Sequence, residues 1–242
     1  MRILGQSRYL ETREAIMELL RTKQFPKNKL DSEEELSRQL GISVPTIREA
    51  LRELDREGYI TKKHGSGNYV HKSAFTAQMR IDMTRDYGQL LQERYGDVQT
   101  VQMPYRVVQM DELQAGRLHC PVGEEALEYV RHFVVRGDRV AILAINCIPM
   151  KRVQRDLKEL KEPFSIMDFL WENCAEEMVQ NIVRIGACSC EGGQAEILNV
   201  PEGTPLICWE ETFFNLDDEP VGFTRSYFHP ELVDMHLLMK RR

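Results

Sequence analysis

Residues 43–52, SVPTIREALR, combine hydroxyl and guanidinium side chains with a regular apolar spacing. Ile47 and Leu51 recur at a helical interval, which predicts an amphipathic helix whose other side carries Arg48 and Arg52. Guanidinium and hydroxyl groups near the start of a helix can hydrogen-bond the phosphate oxygens or the base edges of DNA. The alternative is an ordinary amphipathic helix with a solvated basic side.

A second basic stretch, YITKKHGSGNYV, occupies residues 59–70. Its two β-prone runs flank His64-Gly65-Ser66-Gly67, which predicts a hairpin whose glycines supply the unusual φ angles of the turn. Lys62, Lys63 and His64 would then lie beside the hairpin tip, within reach of phosphates or of a minor groove.

Capping residues mark the helices that must position these groups. Ser32 begins an S-x-x-E capping box with Glu35, and Gly41 follows the end of that helix. Ser43 is a candidate N-cap for the next helix, in which Pro45 is tolerated because it falls in the first turn. Helix, helix, three-residue turn, helix and hairpin form a winged helix-turn-helix, which can place the helix after Ser43 in the major groove. The candidate DNA-contacting residues are Ser32, Ser43, Val44, Pro45, Thr46, Arg48, Arg52, Lys62, Lys63, His64, Gly65 and Gly67.

Charge is unevenly distributed along the 242 residues. Residues 1–75 hold 14 lysines and arginines against 11 acidic residues, a net charge of +3, whereas residues 76–242 hold 18 against 27, a net charge of −9. A polyanionic partner is therefore expected to meet the N-terminal part. No apolar run approaches the ~20 residues that cross a bilayer, and the early charges argue against a secretory signal, so the cytoplasm is the expected compartment.

Six scattered cysteines give no clear metal-binding spacing, because Cys188 and Cys190 form a C-x-C pair without a second pair. If they lie on a strand, the two thiols share one face, and the alternatives are buried core thiols or a redox or metal role. We expect core thiols, no metal and no cofactor.

From about residue 101, candidate strands alternate with short helices. Residues 127–149 predict two long strands joined near Gly137-Asp138, and residues 204–228 predict a hairpin that turns at Asp217-Asp218. The pattern indicates an α+β domain around a mostly antiparallel sheet.

Two segments carry a resemblance to a known family. LDSEEELSRQLGISVPTIREALRELDREGYITKKHGSGNYV resembles the DNA-binding domain of GntR-type bacterial transcription regulators, and LNVPEGTPLICWEETFFNLDDEPVGFTRSYFHPEL resembles the UTRA effector domain of the HutC subfamily. The resemblance implies a winged helix-turn-helix domain at 1–71, a linker at 72–100, and a chorismate-lyase-like UTRA domain for effector binding and dimerisation at 101–242. It also implies a homodimer on a palindromic operator in double-stranded DNA, controlled by a small metabolite.

The chain departs from the family's motifs where the family commonly contacts DNA. The usual P-S-E-R is Asp31-Ser32-Glu33-Glu34 here, and the usual S-R-x-T-V-R is residues 43–48, SVPTIR. Two arginines are thus replaced, by Glu34 and Val44, whereas Arg48 is retained. The departures imply an unusual operator or weaker binding, with Val44 against a thymine methyl and with Arg48 and Thr46 supplying the polar reading.

The resemblance also implies an effector site formed by Arg131, Phe133, Thr224 and Tyr227. The family's R-x-R pair retains only Arg131, which could bind a carboxylate, and Phe133 implies a ligand smaller or more apolar than a sugar phosphate. Gly222 stands where a glutamate often lies. The alternative is that Arg131 makes a structural ion pair and that Tyr227 belongs to the core.

The expected function is metabolite-responsive regulation of transcription, usually repression. One alternative is a DNA-associated interaction protein whose effector pocket has degenerated. The other is a chorismate-lyase-like enzyme, in which acids or bases would come from Glu210, Glu211, His132 and His229. No paired spacing joins those four residues, so we expect no catalytic site.

Overall fold

The structure is a computed structural model that describes residues 5–83, 86–160 and 165–240; for residues 5–10 it describes the backbone alone. The chain divides into two compact units, Met1–Thr84 with Met235–Arg242, and Arg85–Asp234. This division differs from the expected boundaries at 71 and 101. Residues 1–4 and 241–242, the outer ends of the expected domains, lie outside the described residues.

The first unit folds, in its described part, into three α-helices followed by a two-stranded hairpin. These elements are α1 (Gly5–Thr22), α2 (Glu33–Leu40), α3 (Val44–Arg56), β1 (Ile60–Lys63) and β2 (Gly67–Val70). The Ser32 hydroxyl accepts the Glu35 N–H at 3.1 Å and so caps α2, which ends at Gly41 with a left-handed φ of 68°. The winged helix-turn-helix arrangement is confirmed.

An apolar core holds these short helices together. Ile16 and Leu20 of α1, Leu36 of α2, and Ile47 and Leu54 of α3 are all fully buried. Each such side chain contributes about 1.5–3 kcal/mol by leaving water. Isolated helices of 8 and 13 residues are marginal in water, so this burial, rather than helix propensity, stabilises α2 and α3.

The second unit is a seven-stranded sheet with helices packed on it. Its helices are α4 (Tyr87–Tyr95), α5 (Glu112–Leu118), α6 (Ile166–Cys174) and α7 (Gly193–Leu198). Its strands are β3 (Val98–Gln102), β4 (Arg106–Gln109), β5 (Glu125–Val135), β6 (Arg139–Pro149), β7 (Met178–Ser189), β8 (Pro205–Asn215) and β9 (Pro220–Phe228). The strand order is β3-β5-β6-β9-β8-β7, β4 also pairs with β5, and every pairing is antiparallel. The α+β expectation is confirmed.

Alternation along the strands gives the sheet two distinct faces. On one, the α6 face, Tyr129 stacks on Phe169 of α6 with ring centroids 4.9 Å apart. On the other, the α7 face, Leu143 packs with Leu198 of α7. Adjacent residues of one strand therefore lie in different environments.

The region expected to be a linker, 72–100, contributes to both units. Residues Lys72–Thr76 form a 3₁₀ turn whose Ala74 is buried in the first unit's core. Helix α4 follows, and β3 begins at Val98 and pairs with β5. A polar sequence is compatible with these elements, because α4 is short and β3 lies at an edge of the sheet, where few side chains need to be apolar.

The cysteines are free thiols at all six positions. Cys188, Cys190 and Cys208 lie together in the cluster on the α7 face. Burial raises the pKa of Cys188 to about 11, so this thiol is protonated at neutral pH. Residues 5–83, 86–160 and 165–240 contain no group of three or more histidine, cysteine or acidic side chains that could hold a metal ion. No helix in these ranges has the length and apolar character to cross a membrane.

Candidate nucleic-acid interface and effector site

Helix α3 presents an apolar side to the core and a polar side to solvent. The Ser43 hydroxyl caps it by accepting the Thr46 N–H at 3.4 Å, and it also lies 2.8 Å from the Thr46 hydroxyl. Pro45 is exposed in the first turn, with Val44 half-buried beside it. Arg48 and Arg52 are exposed one turn apart, so both can reach a groove that admits the helix.

The wing is the hairpin β1–β2. Lys63 pairs with Gly67, and Gly65 and Gly67 have φ angles of 70° and 107°, which L-residues with side chains rarely adopt. Lys62, Lys63, His64, Gly65 and Gly67 are all exposed. The turn thus offers two lysines and an open backbone to a phosphate chain.

Glu33, which the sequence did not single out, joins the two basic elements. Its Oε2 accepts a hydrogen bond from Arg48 Nε at 2.7 Å, and its Oε1 lies 3.5 Å from Lys62 Nζ. Burial raises the pKa of Glu33, but the hydrogen bonds and charges of Arg48 and Lys62 outweigh this and lower it. One carboxylate in the first turn of α2 therefore holds a cation from α3 and a cation from the wing.

The expected effector residues divide between the two faces of the sheet. Arg131, Phe133 and Thr224 lie on the α6 face, all buried. Tyr227 lies on the opposite face, packed with Cys190 and Leu198. Including it in one site with Thr224 was wrong, because residues three apart on a strand point to opposite faces.

Arg131 is paired from the start of α4. Its Nη1 lies 3.8 Å from Asp86 Oδ2, and its guanidinium carbon lies 5.2 Å from the centre of the Phe133 ring. The other carboxylate oxygen of Asp86 accepts the Gly88 N–H at 2.8 Å and so caps α4. Asp86 thus links the helix start to the buried arginine.

Aromatic rings fill the space beside this pair. The Tyr87 ring lies 5.4 Å from Phe133, 5.6 Å from Phe228 and 6.1 Å from Trp209, each in an edge-on arrangement. The Trp209 Nε1 and the Tyr129 hydroxyl are buried and form no hydrogen bond with any described residue. A buried donor without a partner is costly and indicates where a polar group could bind.

Two carboxyl groups complete the site. Burial raises the pKa of Asp86, with Arg131 partly opposing the shift. Burial also raises the pKa of Glu211, whose Oε1 accepts a hydrogen bond from Asn181. The Tyr87 hydroxyl lies near Glu211 and Ser226, and burial raises the tyrosine's pKa as well. The sequence did not single out Asp86, Tyr87, Trp209 or Ser226, and it offered Glu211 only as a candidate acid or base. The same alternation that places Thr224 could have placed Ser226 and Glu211 on this face.

The surroundings of Gly222 are unsuited to the glutamate that often stands at this position in the family. A Cβ built there would lie 3.5 Å from Phe213 and 3.8 Å from both Ile148 and Leu170. These are apolar neighbours of the cluster under α6, where an ionised side chain would lose its hydration.

The four residues considered as catalytic acids or bases are not brought together. Glu210 lies on the α7 face, held by Arg117 at 2.9 Å and Arg184 at 3.2 Å, whereas Glu211 lies on the α6 face. His132 extends from β5 on the α7 face, and His229 follows β9, with its Nε2 3.4 Å from Arg139. The arrangement gives no acid–base pair.

Comparison with known proteins identifies both units. The model of bacterial regulatory proteins of the gntR family matches residues 8–70, and the UTRA domain model matches residues 93–234. The arabinose metabolism transcriptional repressor of Geobacillus stearothermophilus is 35% identical over 66 residues, which are 27% of this chain and 18% of that relative. The chain thus aligns with under a fifth of that repressor's length.

Two solved structures share the fold over nearly the whole chain. YydK from Bacillus subtilis, described as a possible transcriptional regulator, has a TM-score of 0.70 at 17% identity, covering 96% of this chain and 99% of its own. PhnF from Mycobacterium smegmatis has a TM-score of 0.58 at 18% identity, covering 96% and 100%. Since the UTRA model alone spans more than half of the chain and the gntR model accounts for the helix-turn-helix, this protein belongs to the GntR family of DNA-binding transcription regulators and carries a UTRA domain.

Proposed function

We propose that this regulator represses transcription by binding a palindromic operator, and that a small acidic metabolite changes this binding by competing with Asp86 for Arg131. The observation that carries the proposal is the Arg131–Asp86 pair, because Asp86 caps the helix that begins directly after the chain passes from the first unit to the second. The UTRA architecture is also the one expected for the HutC subfamily.

The contact between Arg131 and Asp86 is longer than a close charge-assisted hydrogen bond. A charge-assisted hydrogen bond between guanidinium and carboxylate spans about 2.7–2.9 Å, and a bidentate one adds geometric specificity. The 3.8 Å between Arg131 Nη1 and Asp86 Oδ2 is longer, so a ligand carboxylate that approached Arg131 more closely would displace Asp86. Asp86 would then hold α4 only through its cap to Gly88.

The surroundings favour a ligand that is acidic at one end and planar or apolar at the other. Phe133, Trp209 and Phe228 offer aromatic walls, and the Trp209 Nε1 offers a buried donor. With one arginine in place of an R-x-R pair, a monocarboxylate matches the charge better than a sugar phosphate does.

For DNA, we propose that α3 enters the major groove and that the wing contacts the backbone. Arg48 and Thr46 would supply polar base contacts, Val44 an apolar one, and Lys62 and Lys63 phosphate contacts. Ser32, Ser43, Pro45, Arg52, His64, Gly65 and Gly67 complete the proposed interface. Such a protein acts where the bacterial chromosome lies, which implies the cytoplasm.

We further propose that two copies associate through β7. This strand of 12 residues pairs with β8 along one edge, and the described residues supply no strand for its other edge. Ile182 and Ile185 are 62% and 54% exposed, one on each face, with Val179 and Val183 exposed beside them. A long apolar edge is a template for another strand, and a two-fold related copy would match a palindromic operator.

Light scattering tests the association. Ile182→Lys combined with Ile185→Lys should give a monomer at micromolar concentration. Val122→Lys, which alters a valine that is 65% exposed and lies outside β7, should leave the mass unchanged. A dimer that persists in the double variant would exclude β7 as the interface.

Ligand control is tested by thermal shift and by anisotropy on a duplex selected from a random pool. A carboxylate metabolite at a hundred times its Kd should stabilise the protein by about 2.7 kcal/mol. It should also change the Kd for the duplex. Arg131→Met should abolish both effects, whereas Arg106→Met, at an exposed arginine paired with Glu128, should retain them. Equal responses in the two variants would contradict the proposal.

A second function is favoured by the packing of Tyr87, which is buried among Phe133, Trp209 and Phe228 as a ligand would be. In that case the protein is a DNA-associated interaction protein whose own tyrosine occupies the pocket. A broad metabolite panel that shifts neither the melting temperature nor the Kd for the duplex would support this function. Turnover of any panel compound would instead support an enzyme, which we infer this protein is not.

A further inference from the structure

Residues 235–240, here called the return segment, belong to the unit that reads DNA and not to the UTRA unit that precedes them. Residues 55–82 provide the backbone and side-chain partners described below for this segment. The UTRA model ends at residue 234, and the gntR model ends at residue 70. The segment thus lies outside both models while packing on the winged helix-turn-helix.

Backbone pairing fixes the start of the return segment. His236 forms a parallel bridge with Arg80, its N–H donates to the Met79 carbonyl at 3.2 Å, and its carbonyl accepts the Ile81 N–H at 2.9 Å. The Leu238 N–H donates to Asp82 Oδ1 at 3.3 Å. Since Met79 and Arg80 are buried, the backbone that pairs with His236 is itself anchored.

An apolar contact places Leu238 at the end of the recognition helix α3. Leu238 packs against the core of the first unit, and its Cδ2 lies 2.5 Å from where a Cβ would stand on Gly58. Gly58 has a φ of 84° and lies in the short connection from α3 to β1. The leucine therefore occupies the space that this glycine leaves open.

Lys240 joins the recognition helix to the wing. Its Nζ donates to the Asp55 carbonyl and to Asp55 Oδ1, both at 2.6 Å, and to the Ile60 carbonyl at 3.2 Å. Asp55 Oδ1 also accepts the Lys62 N–H of β1 at 3.0 Å. An ammonium at the carbonyl end of a helix interacts favourably with the helix dipole. The Lys240 ammonium therefore hydrogen-bonds the last turn of α3, the Asp55 carboxylate that accepts the Lys62 N–H, and the Ile60 carbonyl of β1.

We propose that the return segment positions the recognition helix relative to the wing, with Leu238 and Lys240 as positioning residues for operator binding. They act through Gly58 and Asp55 and contact no nucleic acid themselves. Operator binding needs α3 in a groove and the wing on the adjacent backbone at once, so a loosened junction between them weakens binding even when both elements stay folded.

The test compares Lys240→Met, Lys240→Arg, Leu238→Ala and Met239→Ala in the full chain. Met239 is the matched control because it lies between the two positioning residues and is 84% exposed. We measure the Kd for a duplex selected from a random pool, its salt dependence, and hydrogen exchange at the Lys62 amide. Lys240→Met should raise the Kd about tenfold. It should also speed hydrogen exchange at the Lys62 amide, while the salt slope stays unchanged. Lys240→Arg should restore the Kd and the exchange rate, and Met239→Ala should change neither the Kd nor the exchange rate.

Two results would overturn the proposal. An unchanged Kd in Lys240→Met, with unchanged exchange at Lys62, would show that the segment does not hold the junction. A raised Kd with a salt slope lower by about 0.9 and unchanged exchange would show that Lys240 contacts a phosphate directly. If Leu238→Ala fails to fold, the lysine variants still decide, because Lys240 lies outside the apolar core.

Discussion

Replacing Glu33 by glutamine should tighten DNA binding, although it removes two ion pairs. In the free protein the Glu33 carboxylate holds Arg48 at 2.7 Å and Lys62 at 3.5 Å. Both cations must turn towards DNA if α3 and the wing contact it as proposed. Glutamine has nearly the same shape but no charge, so it releases the two cations and removes a carboxylate that would face phosphates.

The size of the effect follows from exposure. The Arg48 and Lys62 side chains are 45% and 55% exposed, so each pair with Glu33 is well screened. Exposed pairs contribute about 0.2–1 kcal/mol each. Two pairs give about 0.4–2 kcal/mol, which corresponds to a Kd lower by about two- to thirty-fold. The slope of log K against log salt should also become steeper, because both cations then replace counterions on the DNA.

Fluorescence anisotropy on a selected duplex, at several salt concentrations, measures both quantities. Glu35→Gln is the control, because Glu35 lies exposed in the same turn of α2 and makes the same change in charge. We expect the tighter binding in Glu33→Gln to exceed any gain in Glu35→Gln. Weaker binding in Glu33→Gln, with unchanged thermal stability, would refute the reasoning, because Glu33 would then orient Arg48 for contact.

Three further predictions rest on single positions. Glu34→Arg restores the arginine typical of the family at an exposed position in α2. It should lower the Kd for a selected duplex about tenfold and make the salt slope steeper by about 0.9. An unchanged slope would mean that this turn does not approach phosphate. Gly58→Ala should destabilise the DNA-binding unit by more than about 1 kcal/mol in urea unfolding, because φ is 84° and the new methyl group would meet Leu238. The control is Gly116→Ala, at a helical glycine with open space around its Cβ position. Glu211→Gln should stabilise the protein at pH 8, because burial raises the carboxyl's pKa above its ordinary 4.5 and so penalises the charged form. That gain should shrink as pH falls through the raised folded-state pKa and vanish below about 4.5, where the carboxyl is protonated in both states; a gain constant from pH 8 to 4 would contradict it.

Local chemistry made the DNA-binding unit predictable. Ser32 and Ser43 cap helices, Gly41 ends one, and Gly65 and Gly67 shape the wing turn, all through interactions within a few residues. Glu33 escaped notice because its partners lie 15 and 29 positions away, where only the folded chain brings opposite charges together.

Long-range pairing limited what could be foreseen elsewhere. His236 pairs with Arg80 across 156 positions, and a six-residue segment has no periodic signal of its own. The surroundings of Arg131 were anticipated only in part, because Asp86 and Tyr87 belong to a stretch expected to be a linker. Tyr227 was placed in that site by resemblance, whereas the alternation of β9 puts it on the other side of the sheet.

The two-faced sheet has a consequence for how this regulator can change over evolutionary time. Glu210 and Glu211 are neighbours in the chain, yet one is held by surface arginines and the other faces the Arg131 site. Single substitutions at alternate positions of β8 and β9 can therefore change the side chains around Arg131 while leaving those on the opposite face unchanged. A one-residue insertion within either strand would exchange the two sets of side chains beyond it. Substitutions at alternate positions thus preserve the two-faced sheet, whereas an insertion does not.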